Sequence, residues 1–548
     1  MAKAQHGQEQ DLGGQNWFNS AVLYEVDIKN FRDSNGDGIG DIQGLIDGLD
    51  YIASLNVQCL WLQPFYQTPN RDNGYDISEY RVVNPALGTM DDFDRLIAEA
   101  TKRDLRVIAD LPLNHVSDQH HWFQAARKDR QSPYRNYFVW VDEEPEKHDP
   151  YPVFGPEQDG NWNFDEEAGQ FYFHTFYKFM PDLNYGSKQV EQELLDVARF
   201  WMKRGLSGFR LDAVPFMIHD TSDQEKLEMP HKFLEMLNKA VIEVQPDALL
   251  MAEANLKPND MCPFFGNGDQ MHMLLNFYLC NHIILAVATA KAEHIRRAWD
   301  ELPEIPKNCN WANFIRNHDE LSLDQLTKEE QQQCFDAFAP DDDMRLYDRG
   351  IRRRLAPMLN GDLARIKLTY SLLLSLPGTP VINLGEEIGL GDDLTLKDRE
   401  AGRTPMQWNN QQNGGFSTAP RDKLIRPVVN EGPYRYEKVN VAAQEKDPHS
   451  LLHFFRRGIK AYHDSPALGT GKWTFIDVAD DSVLLHSCDH EGEKVFALHN
   501  LSGESKTVRT ALPDGLMEVF CDSTCRQIHD GQVELKPYGY RWLKTPEK

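Results

Sequence analysis

The stretch 208-GFRLDAV-214 sets a fixed positive charge, Arg210, and a carboxylate, Asp212, inside a run of otherwise apolar residues. The segment before it, 190-VEQELLDVARFWMKRG-205, has the spacing of an amphipathic helix, and Gly208, Phe209, Leu211, Ala213 and Val214 read as a buried strand. Charges in such a strand are costly unless they are paired or do chemistry. Working outward, the same kind of run recurs at 57–64 (VQCLWLQP), 105–114 (LRVIADLPLN), 248–255 (ALLMAEAN), 310–320 (NWANFIRNHDE) and 378–387 (GTPVINLGEE). Helical segments such as MDDFDRLIAEATKR and PHKFLEMLNKAVIEV lie between these runs. Strands alternating with helices imply parallel pairing, and this many units predicts a closed (β/α)8 barrel rather than a doubly wound sheet. In a barrel, function gathers where strands meet the loops that follow them.

Two stretches break the alternation. Residues 115–185 are aromatic and polar without a long helix (QHHWF, YRNYFVWVD, QFYFHTF), which predicts a subdomain inserted after the third strand. From about residue 466, period-two patterns such as DSVLLHSC and EKVFALHNL predict a C-terminal antiparallel β-sandwich domain. The expected organisation is therefore a barrel at 1–114 and 186–465, an insertion at 115–185 and a β domain at 466–548.

Composition narrows the function classes. The chain has 548 residues, 41% of them hydrophobic, and a net charge of -27. That acidity disfavours nucleic acid and anionic membrane as partners. No apolar run reaches membrane-spanning length, and the polar start MAKAQHGQEQDLGGQNW lacks a signal-peptide core, so a cytoplasmic location is expected. Eight scattered cysteines without a ligand pattern read as free thiols in a reducing compartment. Self-association as a homo-oligomer is compatible with the sequence.

Three acids share one context. Asp212, Glu253 (in LLMAEAN) and Asp319 (in FIRNHDE) each stand where an apolar strand gives way to a loop, roughly one and two βα units apart. A barrel would bring all three to one mouth. Two carboxylates at one mouth suit glycosidic-bond chemistry, with one as nucleophile and the other protonating the leaving oxygen. Arg210, two residues before Asp212, faces the same side of the strand and can keep that carboxylate charged and aimed.

In this order LPLNH (111–115), GFRLDAV, AEAN and RNHD (316–319) resemble the motifs of the α-amylase family of glycoside hydrolases. The resemblance implies a retaining mechanism in which Asp212 is the nucleophile, Glu253 the general acid/base and Asp319 the acid that binds sugar hydroxyls. It also implies that His115, Arg210 and His318 line the glucose subsite, and that Asp76, in NGYDISEY (73–80), binds that sugar's far hydroxyls. MPDLN (180–184) and RTPMQW (403–408) resemble the branch of α-glucosidases, sucrose isomerases and trehalose synthases, the last most closely, and bring Arg403 to the same subsite. The implied activity is interconversion of maltose and trehalose with side hydrolysis, on a small disaccharide substrate and without an organic cofactor. The alternatives are an α-glucosidase or transglucosidase on short α-glucosides and, more remotely, a non-catalytic binding subunit, against which the intact acids argue. Loops around RTPMQW and the 115–185 insertion are the expected lid over the acceptor sugar. Departures from the branch, Asn383-Leu384 and the stretch after Asp212, border that acceptor side.

One further motif is independent of the acids. DSNGDGIGD (33–41) spaces oxygen ligands at Asp33, Asn35, Asp37 and Asp41, completed by the Ile39 carbonyl, and predicts a structural Ca2+ loop. Family resemblance places calcium there too. A second site at Asn114 and Asp182 is weakened by His219, which stands where the branch would place an acid.

Overall fold

A computed structural model describes residues 16–145, 153, 160–217, 224–510, 512–513, 515–522 and 532–546. Eight parallel strands close into a barrel: Leu23–Val26, Cys59–Leu62, Arg106–Pro112, Gly208–Asp212, Leu249–Ala252, Met273–Leu275, Asn310–Asn313 and Thr379–Asn383. Each pairs with its neighbours in sequence order, and the first also pairs with the eighth. Six of these strands lie within the apolar runs read above. Leu23–Val26 and Met273–Leu275 complete the circle and are only four and three residues long. Both faces are covered, so the strands are almost wholly buried; Cys59–Leu62 and Leu249–Ala252 are apolar and buried throughout.

The fourth strand starts on Gly208 for a steric reason. Its φ is 147°, and a Cβ there would lie 1.9 Å from the Leu249 carbonyl oxygen of the fifth strand. The strand ends on Asp212, and the next residue, Ala213, takes a left-handed φ of 50°. That conformation costs roughly 1–2 kcal/mol for a residue with a Cβ, and it swings the chain out of the barrel immediately after the carboxylate.

The expected insertion follows the third strand. It contains a short helix (His121–Lys128) and a three-stranded antiparallel sheet of Trp140–Val141, Gln170–Phe173 and Trp162–Asp165. At the other end, five antiparallel strands (Lys472–Phe475, Val483–His490, Glu493–Asn500, Tyr540–Lys544, Met517–Cys521) form a sheet faced by a ribbon of Lys506–Arg509 and Gln532–Leu535. Period-two alternation divides this sheet's two faces. Val483, Leu485, Phe496 and Leu498 pack against Val508 and Val533 of the ribbon, whereas Leu484, Cys488, Val495 and Trp542 join the core shared with the barrel. The barrel helix Leu363–Ser375, capped by Asp362, lies against this second face and is accordingly buried on most sides. Among the described residues no helix is long and apolar enough to cross a membrane.

Candidate active site

Asp212 is the last residue of the fourth strand and Glu253 the first beyond the fifth, so barrel geometry alone brings them to one mouth. Asp319 comes from further along, six residues past the seventh strand, on a loop. All three line one cavity of about 370 Å³ with Asp72, Tyr75, His115, Phe176 and Arg399. This volume suits a small molecule.

Arg210 organises the floor. Its side chain is wholly buried, and it donates to Asp110 (3.1 Å), to Asp212 (2.8 Å) and to Glu253. Its guanidinium lies 5.5 Å from the centre of the Trp61 ring. Burial works against its charge, but Asp110, Tyr75 and Asp212 overcome that and hold it above the ordinary arginine range. One guanidinium bonded to both Asp212 and Glu253 draws these carboxylates together, toward the ~5–5.5 Å separation used by retaining glycosidases.

Asp319 sits in a second positive cradle. Arg403 reaches it at 2.7 Å, Arg399 at 3.2 Å and the His318 ring at 3.5 Å. Burial alone would raise its carboxyl, yet Arg399, His318 and Arg403 hold it well below the usual range, so Asp319 is a permanent anion. Arg403 also donates from Nε to the His318 carbonyl oxygen (2.9 Å), which locks the two positions together. His115 is buried at the cavity wall, edge-on to Phe176, and neither ring nitrogen has a partner among the described residues. An unpaired buried imidazole facing a cavity is a group arranged for a ligand.

Asp76 is a correction. Its carboxylate is wholly buried away from the cavity, where it accepts from Thr68 Oγ1 (2.8 Å), Arg71 Nε (3.3 Å) and the Arg71 main-chain N–H (3.1 Å). Asp72, four residues earlier, lines the cavity instead, with its carboxyl pushed up first by burial. The turn that presents it uses left-handed backbone at Asn73 (φ 48°) and Gly74 (φ 98°). NGYDISEY therefore supplies Tyr75 to the cavity, and the cavity-lining acid, Asp72, precedes it.

Within RTPMQW itself Met406 and Trp408 are buried, the latter against Phe31 and Tyr51, while Arg399 just before it lines the cavity. The insertion does cover the cavity, and it meets the Arg345–Ile351 region: Arg349 donates to the Val153 carbonyl oxygen (3.0 Å), and the Tyr177 and Tyr347 hydroxyls are hydrogen-bonded. The left-handed residues Tyr347 and Asp348 are the signal there, and backbone torsion is invisible in the sequence.

The 33–41 loop turns its oxygens onto its own backbone. Asp33 accepts from the N–H groups of Asn35, Gly36 and Gly38, Asn35 from Asp37, Asp37 from Ile39, and Asp41 from Ser34 and Gly44. Among the described residues no three His, Cys, Asp or Glu side chains converge as a metal site. Near the second expected site, Asp182 accepts from the Thr175 N–H at 3.0 Å and both side-chain polar atoms of buried Asn114 lack partners; His219 lies outside the described residues.

Fold and site together define a glycoside-hydrolase-type enzyme whose acids stand at the C-terminal mouth of a (β/α)8 barrel. The chain belongs to the α-amylase family: the family's catalytic domain matches residues 26–471. It is 44% identical to the trehalose synthase/amylase TreS of Mycolicibacterium smegmatis over 83% of this chain and 78% of that protein. It is 30% identical to an oligo-1,6-glucosidase of Heyndrickxia coagulans, over 91% of this chain and 94% of that one. The crystal structure of trehalulose synthase MutB from Pseudomonas mesoacidophila MX-45 superposes with a TM-score of 0.78 at 28% identity, covering 97% of this chain and 100% of that one.

Proposed function

We propose that the chain interconverts maltose and trehalose by retaining α-glucosyl transfer. The observation that carries this reading is the single buried guanidinium of Arg210 gripping Asp212 and Glu253 beside the anionic Asp319 in a roofed cavity. Asp212 attacks the anomeric carbon of the glucosyl unit while Glu253 gives its proton to the departing glycosidic oxygen. The bond to the leaving glucose breaks as the ester to Asp212 forms. The released glucose then turns and attacks with its anomeric hydroxyl, returning a proton to Glu253 and freeing Asp212. Asp319, His318, His115, Arg403 and Asp72 hold the transferred glucosyl group. The contact between Val153 and Arg349 supports a roof that excludes water during this turn.

The greater identity to a trehalose synthase than to a glucosidase favours isomerisation over hydrolysis. The second reading, an α-glucosidase releasing glucose to water, is favoured only by the departures at Asn383-Leu384 and after Asp212. Incubation with maltose, followed by proton NMR of the anomeric signals, separates the two. The expected result is trehalose as main product with minor glucose, and a loss of about 10³-fold or more in Asp212→Ala. Glucose without trehalose would establish the glucosidase. Cys59, Cys262, Cys280, Cys309, Cys334 and Cys488 are free thiols, which supports a reducing, cytoplasmic setting. Calcium in the 33–41 loop is proposed on the spacing of its oxygen-bearing residues.

A further inference from the structure

Glu25, on the first strand, is wholly buried and touches neither Asp212 nor Glu253, yet it ends a chain of hydrogen bonds that reaches both. His318 Nδ1 bonds Glu25 Oε1, and His318 Nε2 lies 2.8 Å from the Tyr75 hydroxyl. That hydroxyl lies 2.7 Å from Asp110 Oδ2, and Asp110 Oδ1 accepts from Arg210 and from the Trp61 indole. Following the protons fixes the charge of the ring. Asp110, pushed up to about 6 by burial, is an anion at neutral pH and can only accept, so Tyr75 spends its proton there. The Tyr75 oxygen must then accept from His318 Nε2–H. Glu25 Oε1 already accepts from Gln63 (3.1 Å), so it faces His318 as an acceptor and Nδ1 carries a proton as well. Both nitrogens are donors, and His318 is an imidazolium.

We propose that Glu25 is a positioning residue for glucosyl transfer: it keeps His318 charged and turned so that Nε2–H points at Tyr75, Asp319 and the sugar. The groups facing the ring are Glu25 from the first strand, Trp61 from the second, Tyr75 from the loop after it, Asp110 from the third, and Asp319 and Arg403 from the later loops. Burial opposes the imidazolium, and Asp319 and Glu25 outweigh burial and Arg403. Gln63 supports the arrangement by donating to the same Glu25 oxygen at 3.1 Å. A neutral His318 would turn a lone pair on one nitrogen toward an acceptor.

The inference rests on the glucosyl-transfer reading, and its test separates the two. In Glu25→Gln the amide oxygen still accepts from Nδ1, but the charge is gone. With p-nitrophenyl α-glucoside, whose turnover needs no isomerisation, the alkaline limb of kcat/KM is expected to fall by about one pH unit or more. Glu25→Asp keeps the charge and should keep the wild-type limb. The ring is read without substrate by ¹⁵N NMR of histidine-labelled enzyme, with the His318 signal assigned by its loss in His318→Gln. In the wild type it should be imidazolium at pH 7, and this measurement stands even if Glu25→Gln fails to fold. A neutral His318 signal at pH 7, or an equal limb shift in Glu25→Asp and Glu25→Gln, overturns the proposal. An imidazolium without turnover of maltose or the nitrophenyl glucoside would sink the glucosyl-transfer reading instead.

Discussion

Arg210 at the barrel mouth and His486 in the C-terminal sheet are both shut away from water, and burial has done opposite things to them. Around Arg210 the desolvated guanidinium meets opposite charges, so it keeps its own charge. His486 stacks on His499 at 5.9 Å against the helix Leu363–Ser375, and among the described residues no carboxylate acts on either ring. His486 bonds the Ser375 carbonyl oxygen (2.9 Å), and His499 bonds Ser371 Oγ (2.9 Å), which also accepts from the Trp542 indole. The second nitrogen of each ring has no partner among the described residues. Both rings are pushed down by burial, His486 to about 4, and stay neutral. A low-dielectric interior thus preserves charge where it is balanced and removes it where it is not. The first region is built for chemistry and the second for docking a domain.

The largest effect is expected from unbalancing the mouth. Arg210→Met keeps volume but leaves buried Asp110 without its counter-charge, and losing one partner of a buried pair costs about 3–5 kcal/mol. Urea unfolding at pH 7 measures this. A change below about 1 kcal/mol would mean that the cluster is not balanced by Arg210. Second in size is the acid response of the seam. His486 takes up its proton at about pH 6.5 when unfolded and only at about 4 when folded. Its contribution is therefore intact above about pH 6.5, is lost as pH falls toward 4, and levels off below, on the order of 3 kcal/mol in total. His486→Gln can still donate to Ser375, so it should flatten stability between pH 6.5 and 4 relative to wild type at little cost at pH 7. An unchanged acid slope would place the sensitivity in other buried histidines, such as His272 and His282.

The barrel and the three acids were legible because they obey local rules: apolar runs at regular spacing, with acids at their ends. Met273–Leu275 escaped because three residues carry no periodicity, and Leu23–Val26 because its run is short. Asp110 lay in plain sight in LRVIADLPLN, yet its importance comes from Arg210, Tyr75 and Trp61, which meet only across three strands. The resemblance pointed to Asp76, whereas Asp72 lines the cavity, because a turn decides which acid faces it, and Asn73 and Gly74 set that turn by left-handed torsions. Which loops touch over the cavity, as Arg349 does Val153, is likewise a matter of tertiary closure.

The smallest effect is expected at the 33–41 loop, which resembles the mouth in its acids and the seam in its self-sufficiency. Asp33 alone accepts three main-chain N–H groups and the Ser417 hydroxyl (2.5 Å), tying the loop to the far side of the chain. Each oxygen has more than one lone pair, so these bonds leave room for an ion. With no three acidic side chains converging among the described residues, an ion there adds to a loop already stitched shut. Chelation is therefore expected to lower Tm by only a few degrees, reversed by added calcium, as mass action requires of an ion bound to the folded state alone. Asp33→Ala, which strands several buried donors, should cost more than chelation, about 1–3 kcal/mol. If chelation proves the more damaging of the two, the ion and not the hydrogen bonds holds the loop; if melting ignores chelator and calcium alike and elemental analysis finds no metal, the loop is a turn that needs none.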